Sequence, residues 1–463
     1  MKVIEREILI IGAGPAGLSA AIEAARAGAN VTVADENATI GGQLYKQIHK
    51  FFGSAENDAG ARGFEIARKL EREARALGVE IWLNTVAYGL FKEGVGITKD
   101  QTNFIVKAKK IIVAAGGIEN TTAFPGSTLP GVMLAGAAQM LANVHRVLPG
   151  KRILVIGSGN VGLIVAYQML QAGAQVLAVI EKSDRIGGYG VHAAKVARCG
   201  VPFYLSHTIV EAEGKDCVTG VTIGQVGPDW KIIPGTEKHF DVDTICLAVG
   251  LSPMSQLLSQ AGCSMLDTKG GYVPACDADG QTSQPGVFAA GDVSGIEEAS
   301  SAMIEGRISG IAMAAYLGFA TQEEKESRKA ELEAQLDTLR QGMFAPKNRG
   351  KNIQKTEEGI DISSNLLAHG FVADDEIERF PGVTKQRRIH PVIECTQNIP
   401  CNPCQDACRK GCIKIGSNIT SLPVVDEEHP CIGCGMCRIV FRTGNFLNRR
   451  GSRTGLWRGH HAV

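Results

Sequence analysis

The chain has 463 residues, 44% of them hydrophobic, and its 48 basic and 48 acidic residues give a formal net charge of +0. This length is too great for one hydrophobic core and fits two nucleotide-binding domains with a smaller tail. The balanced charge does not favour nucleic acid or an anionic membrane as a partner. We find no signal peptide and no apolar run long enough for a membrane span, so we expect a cytoplasmic protein.

The first predicted unit is a strand at residues 7–11, a glycine turn, a helix at 18–27 and a strand at 30–34. Its turn has the fingerprint of a dinucleotide site, in which backbone N–H groups at a helix N-terminus approach a pyrophosphate. The fingerprint residues are Gly12, Gly14, Pro15, Ala16 and Gly17. Asp35 follows the second strand, where a carboxylate can accept a hydrogen bond from a ribose hydroxyl, and Glu36 is the alternative acceptor.

The loop after this unit is expected to pass the flavin ring. Gly42 and Gln43 are its predicted cofactor contacts, and Lys46 and His49 are candidate acid–base residues. The alternative for the two basic residues is a loop that only balances anionic charge on the flavin or its phosphates, without transferring a proton. A polar helix near 64–77 and a buried strand ending at glycines near 110–117 follow, and these glycines predict a crossing into another domain.

A second unit repeats the first, with strands at 152–156 and 175–180 around a helix that runs through residue 171, which indicates an internal duplication. Its predicted nucleotide contacts are Gly157, Gly159, Asn160, Val161, Gly162 and Glu181. Counting along the second strand places Ile180 at the position of Asp35, with Glu181 one residue later. Glu181 favours NAD(H), nearby Arg185 would accommodate the phosphate of NADP(H), and an adenine nucleotide that transfers no hydride is a third alternative.

The strand at 243–249 leads out of this second domain, and the segment 286–293 returns to the first. Gly291 and Asp292 end that segment, and an aspartate after a glycine turn can reach the ribityl and pyrophosphate groups of FAD. We therefore predict a discontinuous FAD domain at 1–118 and 270–320 and an NAD(P) domain at 119–269. Residues 321–341 are rich in charged residues and predict a solvated helix leaving the core. It begins a helical linker or docking arm at 321–390.

Eight of the 13 cysteines lie in a predicted small domain at 391–441. They are Cys395, Cys401, Cys404, Cys408, Cys412, Cys431, Cys434 and Cys437. Zinc is the structural alternative, and a chain of this size needs no disulfide scaffold, but the C-x-x-C-x-x-C run with glycine spacers favours iron–sulfur clusters of the 4Fe–4S type. The fourth cysteine of a two-cluster ferredoxin would stand at Phe441. Cys412 would then be the fourth ligand beside Cys431, Cys434 and Cys437, and Cys395 the fourth beside Cys401, Cys404 and Cys408. Without Cys395, that second cluster would have three irons or be labile.

Residues 442–463 have no periodicity and no core face, which is unusual for the end of a domain. Reading one base later from Val440 restores a cysteine and an apolar strand with allowed synonymous codons. We therefore hypothesise a frameshift near residues 438–440. Resequencing the gene tests this, since an intact frame with no downstream continuation would remove the hypothesis.

Both fingerprints, the Gly-Gly-Gln loop, the Ala-Gly-Asp return and the lack of a redox C-x-x-C give the chain up to about residue 318 a resemblance to a family of flavin subunits. These belong to opine oxidase, hydrogen cyanide synthase and dye-linked proline or hydroxyproline dehydrogenase. The resemblance implies the α/β fold of glutathione reductase, with two Rossmann-like domains and a C-terminal iron–sulfur segment. It also implies that Gly12, Gly14, Gly17, Asp35 and Asp292 hold FAD and that Gly157, Gly159 and Gly162 hold the second nucleotide.

The resemblance further implies a partner flavoprotein that oxidises an amino or imino acid, with this subunit passing the electrons to NAD(H) or another carrier, such as a ferredoxin-like protein. One alternative is a self-sufficient NAD(P)H:acceptor reductase that resembles the small subunit of glutamate synthase, although there the cluster segment precedes the flavin domain. A second alternative is a non-catalytic redox sensor or assembly scaffold.

Overall fold

A computed structural model describes residues 2–51, 58–268 and 270–340, together with five short strands further along the chain. The chain divides into two compact parts. The first part comprises residues 1–263 and 268–353, and the second part comprises 264–267 and 354–462. The predicted nucleotide-binding residues all belong to the first part.

In the described residues up to 340 there are nineteen strands: β1 Lys2–Ile11, β2 Val31–Ala34, β3 Glu80–Trp82, β4 Thr85–Phe91, β5 Gly94–Lys99, β6 Thr102–Val113, β7 Gly117–Glu119, β8 Val132–Leu134, β9 Arg152–Ile156, β10 Gln175–Ile180, β11 Phe203–Tyr204, β12 His207–Glu213, β13 Gly220–Gln225, β14 Lys238–Phe240, β15 Thr244–Leu247, β16 Leu251–Pro253, β17 Met265–Thr268, β18 Gly271–Pro274 and β19 Val287–Ala289. The α-helices of the same region are α1 Pro15–Arg26, α2 Gly63–Ala76, α3 Ala135–Gln139, α4 Asn160–Gln171, α5 Gly190–Arg198, α6 Gln256–Gln260, α7 Ala299–Tyr316 and α8 Gln322–Leu339.

The first sheet has seven strands in the order β3-β2-β1-β6-β5-β4, with β19 paired to β6. Strands β3, β2, β1, β6 and β19 are parallel, and β5 and β4 continue the sheet as an antiparallel meander. The end of β1, Ile8–Ile11, is a fully buried apolar run, as expected for a parallel strand covered on both faces. Strand β19 comes from much later in the chain, so this sheet is assembled from two separate stretches of sequence.

The second sheet has the order β11-β10-β9-β15-β8, and all of its pairs are parallel. The chain enters this region through β7 and leaves it through β16, and these two strands pair antiparallel. A separate antiparallel sheet, β12-β13-β14, packs against the second parallel sheet through residues such as Ile209 and Val221. The glycine-ended strands predicted near 110–117 and 243–249 are thus the ends of β6 and β15, next to the crossing pair.

Helix α7 packs very closely on α1, the helix that follows the first fingerprint. A Cβ on Gly306 of α7 would collide with the Ala16 carbonyl oxygen, and one on Gly310 would collide with that of Ala20. Only glycine permits this approach of two helix backbones. The close packing fixes α1, and hence its N-terminal turn, against the strand and turn that precede α7.

Helix α8 differs from the expected solvated helix that leaves the core. It forms within the predicted segment, but Leu332 and Leu336 pack on Ile304 and Ile308 of α7. Charged residues dock the rest of its length: Lys325 and Lys329 contact Asp279, Arg328 contacts Glu23, and Arg340 contacts Glu297 and Glu305. The sequence pattern missed this packing because most of the buried face carries charged side chains rather than apolar ones.

The second compact part is described through its strands β20 His390–Glu394, β21 Ile413–Ile415, β22 Pro423–Val425, β23 Asn445–Arg449 and β24 Leu456–Arg458. Strand β23 pairs antiparallel with β20 and β24, and β21 pairs antiparallel with β22. All eight predicted cluster cysteines lie outside the described residues, as does Phe441, so the iron–sulfur prediction remains one from sequence. The frameshift hypothesis likewise remains untested.

Within the described part of the chain, no helix is long and apolar enough to cross a membrane.

Candidate functional site

The first fingerprint turn is tightly packed at its outer glycines and open at its middle one. Gly12 has a φ of +108°, and a Cβ there would collide with the carbonyl oxygen of Ala114. A Cβ on Gly17 would collide with the Gly12 carbonyl oxygen, whereas one on Gly14 would have only the Gly42 Cα as a neighbour, 4.0 Å away. Space is therefore left where a pyrophosphate would approach the helix N-terminus.

The second fingerprint turn has the same construction. Gly157 has a φ of +102°, and its Cβ would meet the Ala248 carbonyl oxygen. A Cβ on Gly162 would collide with the Gly157 carbonyl oxygen, and one on Gly159 would have nothing within 4 Å. Both turns thus fit a bound pyrophosphate by the same test.

Asp35 holds the first turn in shape through both of its carboxylate oxygens. Oδ2 accepts a hydrogen bond of 2.6 Å from the backbone N–H of Ala13, and Oδ1 accepts one of 2.8 Å from that of Asn37. The residue is only 6% exposed, whereas Glu36 is exposed to solvent. A buried carboxylate needs such charge-assisted bonds, and here they place it at the edge of the open turn.

Glu181 makes the corresponding bonds at the second turn. Its Oε2 accepts from the Ser158 backbone N–H at 2.9 Å and from the Ser158 hydroxyl at 2.6 Å, and its Oε1 accepts from the Ser183 N–H at 2.9 Å. The partners occupy the same places as Ala13 and Asn37 around Asp35.

The count that aligned Ile180 with Asp35 was therefore wrong by one residue. The pairing of β10 with β9 shifts between Val176 and Ala178, so Leu177 is an extra residue in a bulge. The bulge lengthens the second unit by one position, and Glu181 is the structural counterpart of Asp35.

A pair of glycines covers each fingerprint turn. The Gly41 N–H donates to the Ala13 carbonyl oxygen, and the Gly188 N–H donates to the Ser158 carbonyl oxygen, each at 2.8 Å. The sequence predicted a role for Gly42 but missed Gly187 and Gly188. The signal was present, because Ile-Gly-Gly begins five residues after Asp35 and again five residues after Glu181.

Only the first turn also receives the return segment. Gly291 begins a short 3-10 turn, Gly291–Ser294, and a Cβ on Gly291 would lie 2.8 Å from the Ala16 Cβ. Asp292 in this turn accepts a hydrogen bond of 3.0 Å from the Glu297 N–H. The structure therefore brings the Gly291–Asp292 turn beside the first fingerprint.

The remaining predicted contacts begin the two helices or lie in the first loop. Pro15 and Asn160 are the first residues of α1 and α4, and the Asn160 side chain accepts a 2.8 Å hydrogen bond from the Tyr189 N–H. Val161 follows Asn160 in α4 and is half-buried, and Gln43 is exposed. Asn160 thus ties the second Gly-Gly loop to its own helix.

Lys46 is partly buried where the two nucleotide domains meet. A Cβ on Gly136 would contact both the Lys46 Nζ and the Glu119 carboxylate, and the Gly136 N–H donates to Glu119 Oε1 at 2.7 Å. Burial lowers the pKa of Lys46, and the nearby Glu119 carboxylate opposes that shift. Asn143 donates a 2.8 Å hydrogen bond to the Lys46 carbonyl oxygen. This arrangement holds the Lys46 loop against the second domain.

His49 stacks on Phe51, with ring centroids 5.6 Å apart, and meets the His192 ring edge-on at 6.4 Å. Burial lowers the pKa of His49 to about 4, and positive charge on His192 and Lys195 adds to the shift. His192 in turn stacks on Tyr189, whose hydroxyl donates to the Glu298 carboxylate. The ring of His49 is therefore neutral at pH 7 and forms part of an aromatic contact between the two domains.

The five described cysteines are free thiols, and Cys199 and Cys217 are exposed while Cys246 and Cys263 are buried. Burial raises the pKa of Cys246 to about 12, which keeps this thiol protonated and unreactive.

Two open glycine turns on parallel sheets, each with a hydrogen-bonded carboxylate at its edge and a Gly-Gly loop, define an α/β protein with two dinucleotide-binding domains. The chain belongs to the pyridine nucleotide-disulphide oxidoreductase family, whose model matches residues 6–306. Its membership of this family and its fold support FAD and NAD(P) as the cofactors. The chain is therefore a flavin-dependent oxidoreductase by class.

Among curated relatives, an opine oxidase subunit from Agrobacterium tumefaciens (strain Ach5) is 29% identical over 335 residues, which are 67% of this chain and 66% of the relative. The chain therefore spans slightly less than two thirds of that protein. Hydrogen cyanide synthase subunit HcnB from Pseudomonas protegens is 28% identical over 72% of this chain and 75% of the relative.

Two solved structures show the same fold. Thioredoxin reductase of T. acidophilum has a TM-score of 0.57 and 24% identity, covering 68% of this chain and 99% of that one. L-proline dehydrogenase from P. horikoshii also has a TM-score of 0.57, with 20% identity over 77% of this chain and 61% of that one.

Proposed function

We propose that this chain is an electron-relay subunit in which FAD occupies the first turn and NAD(H) the second. The observation that carries the proposal is the duplicated unit of open turn, carboxylate and Gly-Gly loop, of which only the first copy is completed by the Gly291–Asp292 turn. When bound, FAD would accept a hydride and release electrons singly. The chain's own residues bind and orient the two nucleotides.

The first site holds FAD through four groups in this proposal. The N-terminus of α1 and Gly14 receive the pyrophosphate, and Asp35 receives the ribose hydroxyls. Gly42 and Gln43 lie along the covering loop, and Asp292 approaches from the return turn. Glu36 is exposed to solvent, so Asp35 is the favoured acceptor.

The second site takes NAD(H) in preference to NADP(H). Glu181 occupies the position of Asp35, and a carboxylate there accepts from a free 2′-hydroxyl but repels a 2′-phosphate. Arg185 is exposed in the following loop and is the residue that would otherwise favour the phosphate. Gly159 and Gly162 complete the pyrophosphate turn.

We assign neither Lys46 nor His49 a proton-transfer step. With a pKa of about 4, His49 is unprotonated at neutral pH and so cannot donate a proton as a general acid. Its stacking on Phe51 and its contact with His192 support a packing role at the domain junction. Lys46 lies against Gly136 and near the Glu119 carboxylate, which supports a packing role at the domain junction for this residue as well.

The partner and the electron exit are proposed from the relatives and the sequence. The opine oxidase relative and HcnB are both named as subunits, which supports a partner subunit. That this partner oxidises an amino or imino acid is what the family resemblance of the sequence implies. The cysteine-rich segment would carry electrons onward through iron–sulfur clusters, ligated by Cys431, Cys434 and Cys437 with Cys412, and by Cys401, Cys404 and Cys408 with Cys395.

The test is to purify the full chain under anaerobic conditions and measure flavin, iron and acid-labile sulfide per chain. The proposal predicts one FAD and four or more irons, with iron lost in Cys434→Ser and FAD retained. Zinc in place of iron would contradict the relay. Rapid NADH-driven reduction of artificial acceptors by the isolated chain would favour a self-sufficient reductase over a relay subunit.

A further inference from the structure

Arg340, at the end of α8, is joined to the turn that carries Asp292. Its guanidinium donates from Nε to Glu297 Oε1 at 2.9 Å and from Nη2 to Glu297 Oε2 at 2.8 Å. The same Nη2 contacts the carboxylate of Glu305. One guanidinium therefore bridges two carboxylates, with the planar two-point geometry that arginine provides and lysine does not.

Both carboxylate residues in turn hold the Gly291–Asp292 turn. Glu305 Oε2 accepts a 3.0 Å hydrogen bond from the Gly291 N–H, and the backbone N–H of Glu297 donates to Asp292 Oδ1 at 3.0 Å. The turn thus has a side-chain anchor on one side and a backbone anchor on the other. Arg340 lies behind both anchors.

The three side chains are largely buried, which makes their charge balance important. The exposed fractions are 4% for Glu297, 12% for Glu305 and 20% for Arg340. Removing the positive member of a buried ion cluster leaves uncompensated negative charge and is strongly destabilising. That charge would be left beside the turn that approaches the FAD site.

We propose that Arg340 is a positioning residue for FAD, acting through Glu305 and Glu297 on the Gly291–Asp292 turn. The inference rests on the proposed binding of FAD at the first site. Arg340 contacts the two glutamates, which in turn hold the Gly291–Asp292 turn, so the proposed effect on FAD passes through them. Helix α8, which the sequence predicted as a solvated helix at the start of a linker or docking arm, thereby becomes part of the flavin-binding framework.

Arg328 provides a matched control on the same helix. It forms a two-point ion pair with Glu23, with contacts of 2.7 and 3.3 Å, and the Glu23 side chain is 7% exposed. Glu23 lies near the end of α1 that is distant in sequence from the fingerprint. Arg328→Gln removes a two-point pair with a buried carboxylate and weakens the docking of α8 without touching the Gly291–Asp292 turn, and Arg26 remains 3.6 Å from Glu23 in that variant.

The experiment removes FAD from the full-length wild-type, Arg340→Gln, Arg340→Lys and Arg328→Gln proteins and measures the Kd for added FAD together with the Tm of each apoprotein. We expect Arg340→Gln to raise the FAD Kd by about tenfold or more, because losing one partner of a buried ion pair costs more free energy than the change that corresponds to tenfold in binding. Arg340→Lys should lie between it and wild type. Arg328→Gln should lower the Tm through weaker docking of α8 and leave the Kd within about twofold.

A double variant tests the route through Glu305. In Arg340→Gln, the added change Glu305→Gln removes one of the two negative charges and restores the wild-type net charge of the three side chains, while keeping an acceptor for the Gly291 N–H, so it should recover part of the lost affinity. Equal FAD Kd values in wild type and Arg340→Gln, or equal losses in Arg340→Gln and Arg328→Gln, would overturn the inference while FAD binding by wild type upholds the proposed function. A wild-type chain that binds no FAD would contradict the proposed function itself.

Discussion

The two nucleotide-binding units of this chain share a turn and a carboxylate but are completed differently. The first unit lies on a seven-stranded sheet and receives β19 and the Gly291–Asp292 turn from far along the sequence. The second lies on a five-stranded sheet and is completed by its own next loop, in which Tyr189 stands where the first unit has Gln43. A common pyrophosphate cradle is therefore combined with two different surroundings.

This difference is consistent with our proposal that the two sites hold their nucleotides differently. The first site is built from distant segments and fixed by close helix packing, as suits a cofactor that stays bound. The second is built from one continuous stretch, and its loop reaches the first domain through Tyr189 and Glu298. A site of that kind suits a nucleotide that enters and leaves.

The largest expected effects separate the two cradles at their open glycines. Gly14→Ala and Gly159→Ala each add a methyl group where the structure has room, so both chains should fold. The methyl group would occupy the approach of the pyrophosphate, at a cost of about 1–3 kcal/mol, or about fivefold to 150-fold in affinity. Gly14→Ala should bind FAD more weakly and purify with less flavin than wild type, while Gly159→Ala keeps FAD and binds NADH weakly, as measured by flavin content and NADH titration. Loss of FAD from both variants would contradict the separation.

The next effects come from the carboxylates. Asp35→Asn and Glu181→Gln each leave an amide N–H₂ facing a backbone N–H donor, at an expected cost of about 1–3 kcal/mol in the affinity of the site concerned. Asp35→Asn should weaken FAD, and Glu181→Gln should weaken NADH and reduce the preference over NADPH. Isothermal titration with each nucleotide checks this. An unchanged NADH to NADPH ratio in Glu181→Gln would remove Glu181 as the specificity residue.

A smaller effect is expected at the contact between the two nucleotide-binding domains. Tyr189→Phe keeps the ring against His192 but removes the hydroxyl bond to Glu298, at about 0.5–1.5 kcal/mol. Because this bond joins the domains, Tyr189→Phe should lower the Tm slightly and speed the exchange of backbone amides in the loop 184–189, with FAD content unchanged. Exchange that is identical to wild type would show that the bond does not restrain the loop.

The smallest effect at neutral pH concerns His49. Its folded-state pKa of about 4 lies below the ordinary value of 6.5, so between these two values the unfolded chain binds a proton that the folded chain does not. Stability from this group is constant above pH 6.5 and falls as the pH drops toward 4. His49→Phe, which preserves stacking on Phe51, should flatten the decline in Tm between pH 7 and 4.5. The exposed His239, whose pKa is raised by Asp241 and Glu213, is the control, because His239→Gln should not flatten that decline.

Much of this organisation was predictable because it depends on local patterns. Buried strands such as β9 and β10 are continuous apolar runs, and the glycines at each turn are required by the backbone itself. The sequence alone also located Asp35 and the return of Asp292. The glycine turns repeat along the chain, so no tertiary information was needed to find them.

Other features depend on contacts that periodicity does not show. The bulge at Leu177 displaced Glu181 by one position in the count, and a bulge has no simple sequence signature. Helix α8 docks through Lys325, Arg328 and Arg340, and charged residues normally predict an exposed face. The contact of His49 with His192 joins residues that are far apart in sequence.

The central claim is that a nicotinamide at the second unit exchanges a hydride with the flavin at the first, and anaerobic stopped-flow reduction by NADH tests it most directly. The purified full chain and Gly159→Ala, both carrying FAD, are mixed with NADH while the flavin absorbance is followed. We predict rapid bleaching of the wild-type flavin and much slower bleaching in Gly159→Ala at the same NADH concentration. Flavin that stays oxidised in wild type under excess NADH, or bleaches equally fast in both proteins, would contradict the account.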